Sequence, residues 1–151
     1  MNNAIEIEIE VNQDKGVNMR KIEKNMMTAI RKNKNFTSGN TSTHYFNFST
    51  KTLIGGSTQV RLHGNLIAII HDTQRKLDDG YWAMRNDIEL NTTFRTITKP
   101  VTYRTNVTKS RLNALLAYTP FKIVQKNKEW FIHSNITNQM MPFHDGIKLP
   151  Y

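Results

Sequence analysis

Within the stretch Ala4 to Val11 apolar and polar residues alternate, with Ile5, Ile7, Ile9 and Val11 set against Glu6, Glu8 and Glu10. Period two predicts a strand with one buried face and one acidic face. The row of like charges would also resist edge-to-edge aggregation. After a turn at 12–16 the period changes. From Val17 to Asn33, Met19, Ile22, Met26 and Ile30 recur at helical spacing, while Arg20, Lys21, Lys24, Arg31 and Lys32 lie mostly off that stripe. This predicts an amphipathic helix with a solvated basic face.

Asn35 to Asn40 reads as a polar loop with a turn at Gly39-Asn40, and Thr41 to Phe48 as a strand. Lys51 to Ser57 reads as a break, with Gly55-Gly56 a hairpin turn or a loop close to a ligand. Thr58–Leu62 and Leu66–Ile70 read as strands joined through His63-Gly64-Asn65, where Gly-Asn suits the positive φ of a tight turn. Asp78-Asp79-Gly80 is the next hairpin-like turn, leading to Tyr81–Met84. Asp87 to Ile97 is extended, and Lys99-Pro100 ends it.

The stretch Thr105 to Ile132 is the most ordered part of the pattern. Thr105, Asn106 and Thr108 are all able to cap a helix. Leu112, Leu115 and Leu116 then follow at helical spacing, and Pro120 closes the helix because the residue before a proline is driven toward extended geometry. Phe121–Gln125, a turn at 126–128, and Glu129–Ile132 predict a hairpin. Ser134 to Tyr151, with Met140-Met141-Pro142 and Leu149-Pro150, reads as an irregular C-terminal tail over the core. The sum is a single-domain α+β fold, a mainly antiparallel sheet with two helices.

Composition narrows the partner. The chain has 151 residues, a formal net charge of +9 and no cysteine. A balance that basic draws a protein to polyanions, nucleic acid above all. No disulfide framework or thiolate metal site is available, which fits a reducing cytoplasm. No apolar run approaches the ~20 residues that cross a bilayer, and no signal peptide is recognised at the N-terminus, so a membrane is not an expected partner.

Catalysis finds little support. His44, His63, His71, His133 and His144 are the soft metal-ligand candidates, and none is spaced as a metal motif. No P-loop ending and no Gly-x-Ser-x-Gly elbow occurs. Asp87 and Glu89 share a strand face, as carboxylates do in some metal-dependent nucleases, but two acids two apart on a strand arise readily by chance. The expectation is a protein that is not an enzyme and needs no cofactor or metal.

Charge placement is more informative than its total. From Leu90 to Lys128 there is no Asp or Glu, and the same span holds Arg95, Lys99, Arg104, Lys109, Arg111, Lys122, Lys126 and Lys128. Cations supply phosphate contacts, and aromatics interleaved with them stack on unpaired bases. Tyr103, Tyr118, Phe121 and Trp130 are such neighbours, although each taken singly is more readily a core residue. The expected contact set is Arg104, Lys109, Arg111, Lys122 and Lys126 on phosphates, with Asn113 beside them and Tyr103 stacking. Replacing Lys109 and Arg111 together is expected to weaken binding and spare the fold. With no helix-turn-helix or zinc finger in the chain, single-stranded RNA or DNA is favoured over duplex. The alternative is a protein-binding module that holds an acidic host or virion protein. Self-association into a homo-oligomer is compatible with either.

Val60-Arg61-Leu62-His63-Gly64-Asn65-Leu66-Ile67-Ala68 resembles the Leu-His-Gly-Asn-x-Ile-Ala segment of small uncharacterised bacteriophage proteins. Thr108-Lys109-Ser110-Arg111-Leu112-Asn113 resembles their Thr-Lys-x-Arg-Leu-Asn helix start, and Gln125-Lys126-Asn127-Lys128-Glu129-Trp130 their closing hairpin. The chain departs from that pattern at Thr102, where a glycine is expected, and at Val107, where a threonine is. The resemblance covers 40–133. It sets residues 1–39 apart as an N-terminal strand-helix addition and 134–151 as the tail. It implies a phage origin and a place in the host cytoplasm, without an activity.

Overall fold

The computed structural model describes residues 19–95, 100–102 and 104–151, with the backbone alone at 94, 95 and 100–102. The strand expected at Ala4–Val11, the turn after it, Lys99 and Tyr103 lie outside the described residues.

The fold is α+β, as the alternation of periods predicts. Helix α1 spans Lys21–Arg31 and is followed by β1 (Phe36–Ser38), β2 (Thr41–Asn47), β3 (Leu53–Leu62), β4 (Asn65–Lys76) and β5 (Trp82–Leu90). Next come β6 (Thr93–Arg95), β7 (Pro100–Thr102), helix α2 (Asn106–Leu115), β8 (Phe121–Lys126), β9 (Glu129–Ser134), β10 (Met140–Pro142) and β11 (Ile147–Pro150). A six-stranded sheet has the order β1-β2-β3-β4-β5-β11, a three-stranded sheet the order β10-β9-β8, and β6 pairs with β7. Every pairing is antiparallel.

Tight turns set the register. His63 and Gly64 both have positive φ (52° and 78°), as do Asn127 and Lys128 (54° and 66°). Two such residues in succession make the turn whose twist matches a hairpin. Leu62 then faces Asn65, and Lys126 faces Glu129.

Four sequence expectations are corrected. The loop at Asn35–Asn40 contains β1, which pairs with β2. The chain does not break at Gly55-Gly56, because β3 runs through both. A Cβ on Gly56 would stand 2.0 Å from the Phe46 carbonyl oxygen, and one on Gly55 2.1 Å from that of Asp72. These glycines are there for close strand approach, not for a ligand. The extended segment from Asp87 ends at Leu90, and Pro100 begins β7 rather than ending a strand. The tail is not irregular. β10 adds to the small sheet against β9, and β11 adds to the large sheet, with Ile147 facing Leu90 and Leu149 facing Ile88.

One core joins these layers. The inner face of the large sheet contributes Val60, Leu62, Ala68, Ile70, Ile88, Leu90, Ile147 and Leu149, on which α1 lays Met26, Met27 and Ile30. Helix α2 adds Leu112, Ala114 and Leu115, and the small sheet adds Ile123, Trp130 and Ile132. Truncating a fully buried leucine such as Leu112 in a core this continuous costs about 2–5 kcal/mol.

Candidate nucleic-acid interface

The acid-free run does not form one surface, because the fold divides its cations. Helix α2 begins at Thr105, whose hydroxyl oxygen accepts the Thr108 N–H at 3.1 Å. That start points Ser110 and Arg111 at α1, where Glu23 is buried to 1% exposure. The Glu23 Oε2 accepts Arg111 Nη1 at 2.8 Å and Ser110 Oγ at 2.7 Å, and its Oε1 accepts the Arg20 N–H at 3.0 Å. Arg111 Nε also donates to Thr41 Oγ1 at 2.9 Å and Nη2 to Asn40 Oδ1 at 3.4 Å. At 3% exposure Arg111 is a core residue. It is corrected from a phosphate contact to the centre of a buried ion pair binding α1, β2 and α2. An ionised carboxylate in the core needs this many partners to offset its lost hydration.

Asn113 is also committed to the fold. Its Nδ2 donates to the Ile123 carbonyl at 3.0 Å and its Oδ1 accepts the Ile123 N–H at 2.7 Å. An amide that completes a strand's backbone pairing fixes β8 against α2 and has little left for a ligand.

Lys109 and Arg104 reach the surface while being held. Lys109 Nζ donates to Gln125 Oε1 at 3.2 Å. Arg104 is exposed, yet its guanidinium lies 5.1 Å from the Phe143 ring centre and 5.9 Å from that of Trp130. Beside it Asp145 accepts from the Thr92 N–H at 2.6 Å, the Thr92 hydroxyl at 2.8 Å and the Thr93 hydroxyl. Burial alone would raise the Asp145 pKa. These hydrogen bonds and the Arg104 charge outweigh it and hold the carboxyl below its usual range. The same contacts pin Thr92, which is why the extended segment turns after Leu90.

Lys122 and Lys126 lie on the outer face of the small sheet. Lys122 faces His133, Val124 faces Phe131 and Lys126 faces Glu129 across β8 and β9, while His133 faces Met140 and Phe131 faces Pro142 across β9 and β10. Directly opposed residues share a face, so Lys122, Val124, Lys126, Glu129, Phe131 and His133 stand together, opposite buried Ile123, Trp130 and Ile132. Lys122 and Lys126 are exposed and Phe131 half-buried. Among the described residues neither lysine enters an ion pair. His133 Nε2 lies 2.9 Å from Asn138 Oδ1, which orients the ring at one end of this face. The result is a sheet face, open among the described residues, with Phe131 at its middle, a lysine on either side and Glu129 opposite Lys126.

Trp130 is 2% exposed and Phe121 packs against the core, so neither is a free stacking ring. Tyr118 is exposed, but Arg31 covers one side of it at 5.0 Å. A more open row lies on β2. His44 and Phe46 ring centres are 4.4 Å apart, and Phe46 and Phe48 are 6.4 Å apart with nearly parallel planes. His-x-Phe-x-Phe on a predicted strand was the signal for it, since residues two apart share a face.

The outer face of the large sheet holds the carboxylates considered for a nuclease. Ser57, His71 and Asp87 stand in direct register across β3, β4 and β5. Ser57 Oγ lies 2.9 Å from His71 Nδ1, and Arg85 Nε is 3.0 Å from Asp87 Oδ2. Burial, and then the Arg85 charge, hold the His71 pKa below its usual value. No group of three or more metal-ligating side chains is placed to hold an ion among the described residues. Nor is any helix among them long and apolar enough to cross a membrane.

The model of the Kyanoviridae Gp96 protein matches residues 19–98, which takes in α1 and the first six strands. The chain belongs to that bacteriophage protein family. The match takes in Glu23, Asn40 and Thr41, three partners of Arg111, and ends before α2. No curated protein and no solved structure matches the chain.

Proposed function

We propose that this phage protein is a non-enzymatic binder of single-stranded RNA or DNA acting in the host cytoplasm. The outer face of β8 and β9 is its contact surface. Lys122 and Lys126 take phosphates, Phe131 stacks on an unpaired base, and Lys109 and Arg104 extend the positive surface from the adjoining helix start. The observation that carries this reading is the register that sets a half-buried Phe131 between two exposed lysines that make no ion pair among the described residues. Base stacking on a sheet aromatic tolerates any sequence, and backbone cations supply affinity. A duplex offers its bases edge-on in a groove and has no use for such a ring.

The test is fluorescence anisotropy of short labelled single-stranded RNA, single-stranded DNA and duplex DNA over a salt series. Single strands should bind more tightly than duplex, with log affinity falling linearly with log salt. No binding to any of the three at low salt would refute the reading, and salt-insensitive capture of one acidic protein would replace it.

A further inference from the structure

Among the described residues the large sheet is left open along one half of β5. β11 covers only Asp87 to Leu90, and the Tyr151 N–H reaches the Asn86 carbonyl at 3.1 Å. Beyond that point β5 is paired on its β4 side alone, down to Trp82 facing Lys76. Backbone groups on an antiparallel strand point alternately to its two neighbours. Because Asn86 and Leu90 bond toward β11, those of Met84 and Trp82 point the same way, to a side where no described residue pairs with them. A bare edge is usually protected by charge, proline or a bulge. This one instead exposes Met84 (65%), Trp82 (39%) and, next to it, Tyr81 (75%).

The charge on this arm differs from that of the whole molecule. Arg75, Lys76 and Arg85 are matched by Asp78, Asp79 and Asp87, against a chain total of +9. An arm of zero net charge is where two copies of so basic a protein could meet without repulsion, and it has nothing to offer a strongly acidic partner. We infer that the Trp82–Met84 edge pairs with the same edge of a second copy, antiparallel about a two-fold axis. The register that engages both free residues of each copy centres on Ala83. Trp82 then faces the second copy's Met84 and exchanges hydrogen bonds with it, twice over, and Tyr81 faces its Arg85. Ala83 meets itself at a non-hydrogen-bonded position, where opposed Cα atoms come within about 4.5 Å. A small exposed side chain at that position fits such an approach.

The chain has no cysteine, so the register can be read by cross-linking. Ala83→Cys in the full chain should form a disulfide dimer under mild oxidation about tenfold faster than Ile136→Cys, the exposed control on another part of the surface. Sedimentation of the unaltered chain should show a concentration-dependent dimer. Met84→Lys should return it to monomer with its circular-dichroism spectrum unchanged and a melting temperature equal to that of the parent diluted to monomer, since Met84 is exposed. A chain that stays monomeric at every concentration, a dimer indifferent to Met84→Lys, or equal cross-linking at 83 and 136 would each overturn the proposal. A preference for one orientation of strand pairing with a different protein would appear as the first of these.

Discussion

Arg111 and Lys122 come from the same acid-free run, carry the same charge and lie eleven positions apart, yet they do opposite work. At the seam between α1 and α2, Arg111 is sealed against Glu23 at 2.8 Å and every polar atom around it is matched. On the outer face of the small sheet, Lys122 and Lys126 are exposed with no ion-pair partner among the described residues. The first arrangement costs hydration and returns a fixed junction between elements distant in sequence. The second keeps its hydration and leaves both ammonium groups in water. A count of basic residues cannot separate these two uses, because both need cations and neither needs a particular spacing.

The largest effect separates them by stability. Arg111→Ala leaves Glu23 charged and buried, and should cost about 3–5 kcal/mol. Thermal or urea denaturation would show it, and a stable Arg111→Ala protein would contradict the buried pair. It follows that the Lys109 and Arg111 double replacement cannot be used as a binding test. Replacing Arg111 by Met together with Glu23 by Leu should recover most of the loss, since a packed apolar pair can stand in for a buried ionic one.

The next effect belongs to the surface. Phe131→Ala should weaken single-strand binding by about 1–3 kcal/mol, the usual contribution of one stacked base, with little change in salt slope. Lys122→Ala with Lys126→Ala should instead lower the salt slope, while denaturation shows a fold as stable as the parent.

Smaller effects sharpen the boundary. Asp145→Asn should cost about 1–2 kcal/mol through its hydrogen bonds to Thr92 and Thr93. Because the Asp145 pKa is lowered by folding, its contribution is complete above the unfolded value and is lost as pH falls through the folded one. The Asn variant should therefore show a flatter acid limb in a stability–pH series. His71, also lowered, is neutral at pH 7 and free to accept from Ser57 at Nδ1. Arg85→Ala should raise its pKa, measured by imidazole proton shifts, and leave nucleic-acid affinity unchanged.

The elements were legible where a period or a turn residue dictated them. Met26 and Ile30 announce α1, Thr105 announces the start of α2, and His63-Gly64-Asn65 announces a hairpin, although its left-handed pair is His63-Gly64 and not the Gly64-Asn65 expected. β10 and β11 were not legible, since strands of three and four residues are defined by the neighbours they join. Gly55-Gly56 misled because a glycine needed for cross-strand approach has the same letter as one in a turn. For the proposed site, the sequence offered the lysines of β8 and Arg111 alike, and only the fold separates exposed from buried. Its partner Glu23 lies 88 positions away in the chain, and only α1 packed against α2 brings the two together. Phe131 could be assigned to the outer face only once register set it opposite Val124, with Trp130 turned inward.

The most direct measurement is the salt dependence of single-strand affinity for the parent chain beside Lys122→Ala/Lys126→Ala. Each phosphate contact on a single strand contributes about 0.7 to the log–log slope, so loss of two should flatten it by about 1.4. That result would fix the outer face of the small sheet as the binding surface. An unchanged slope in a folded double variant would place the phosphates elsewhere and contradict the account.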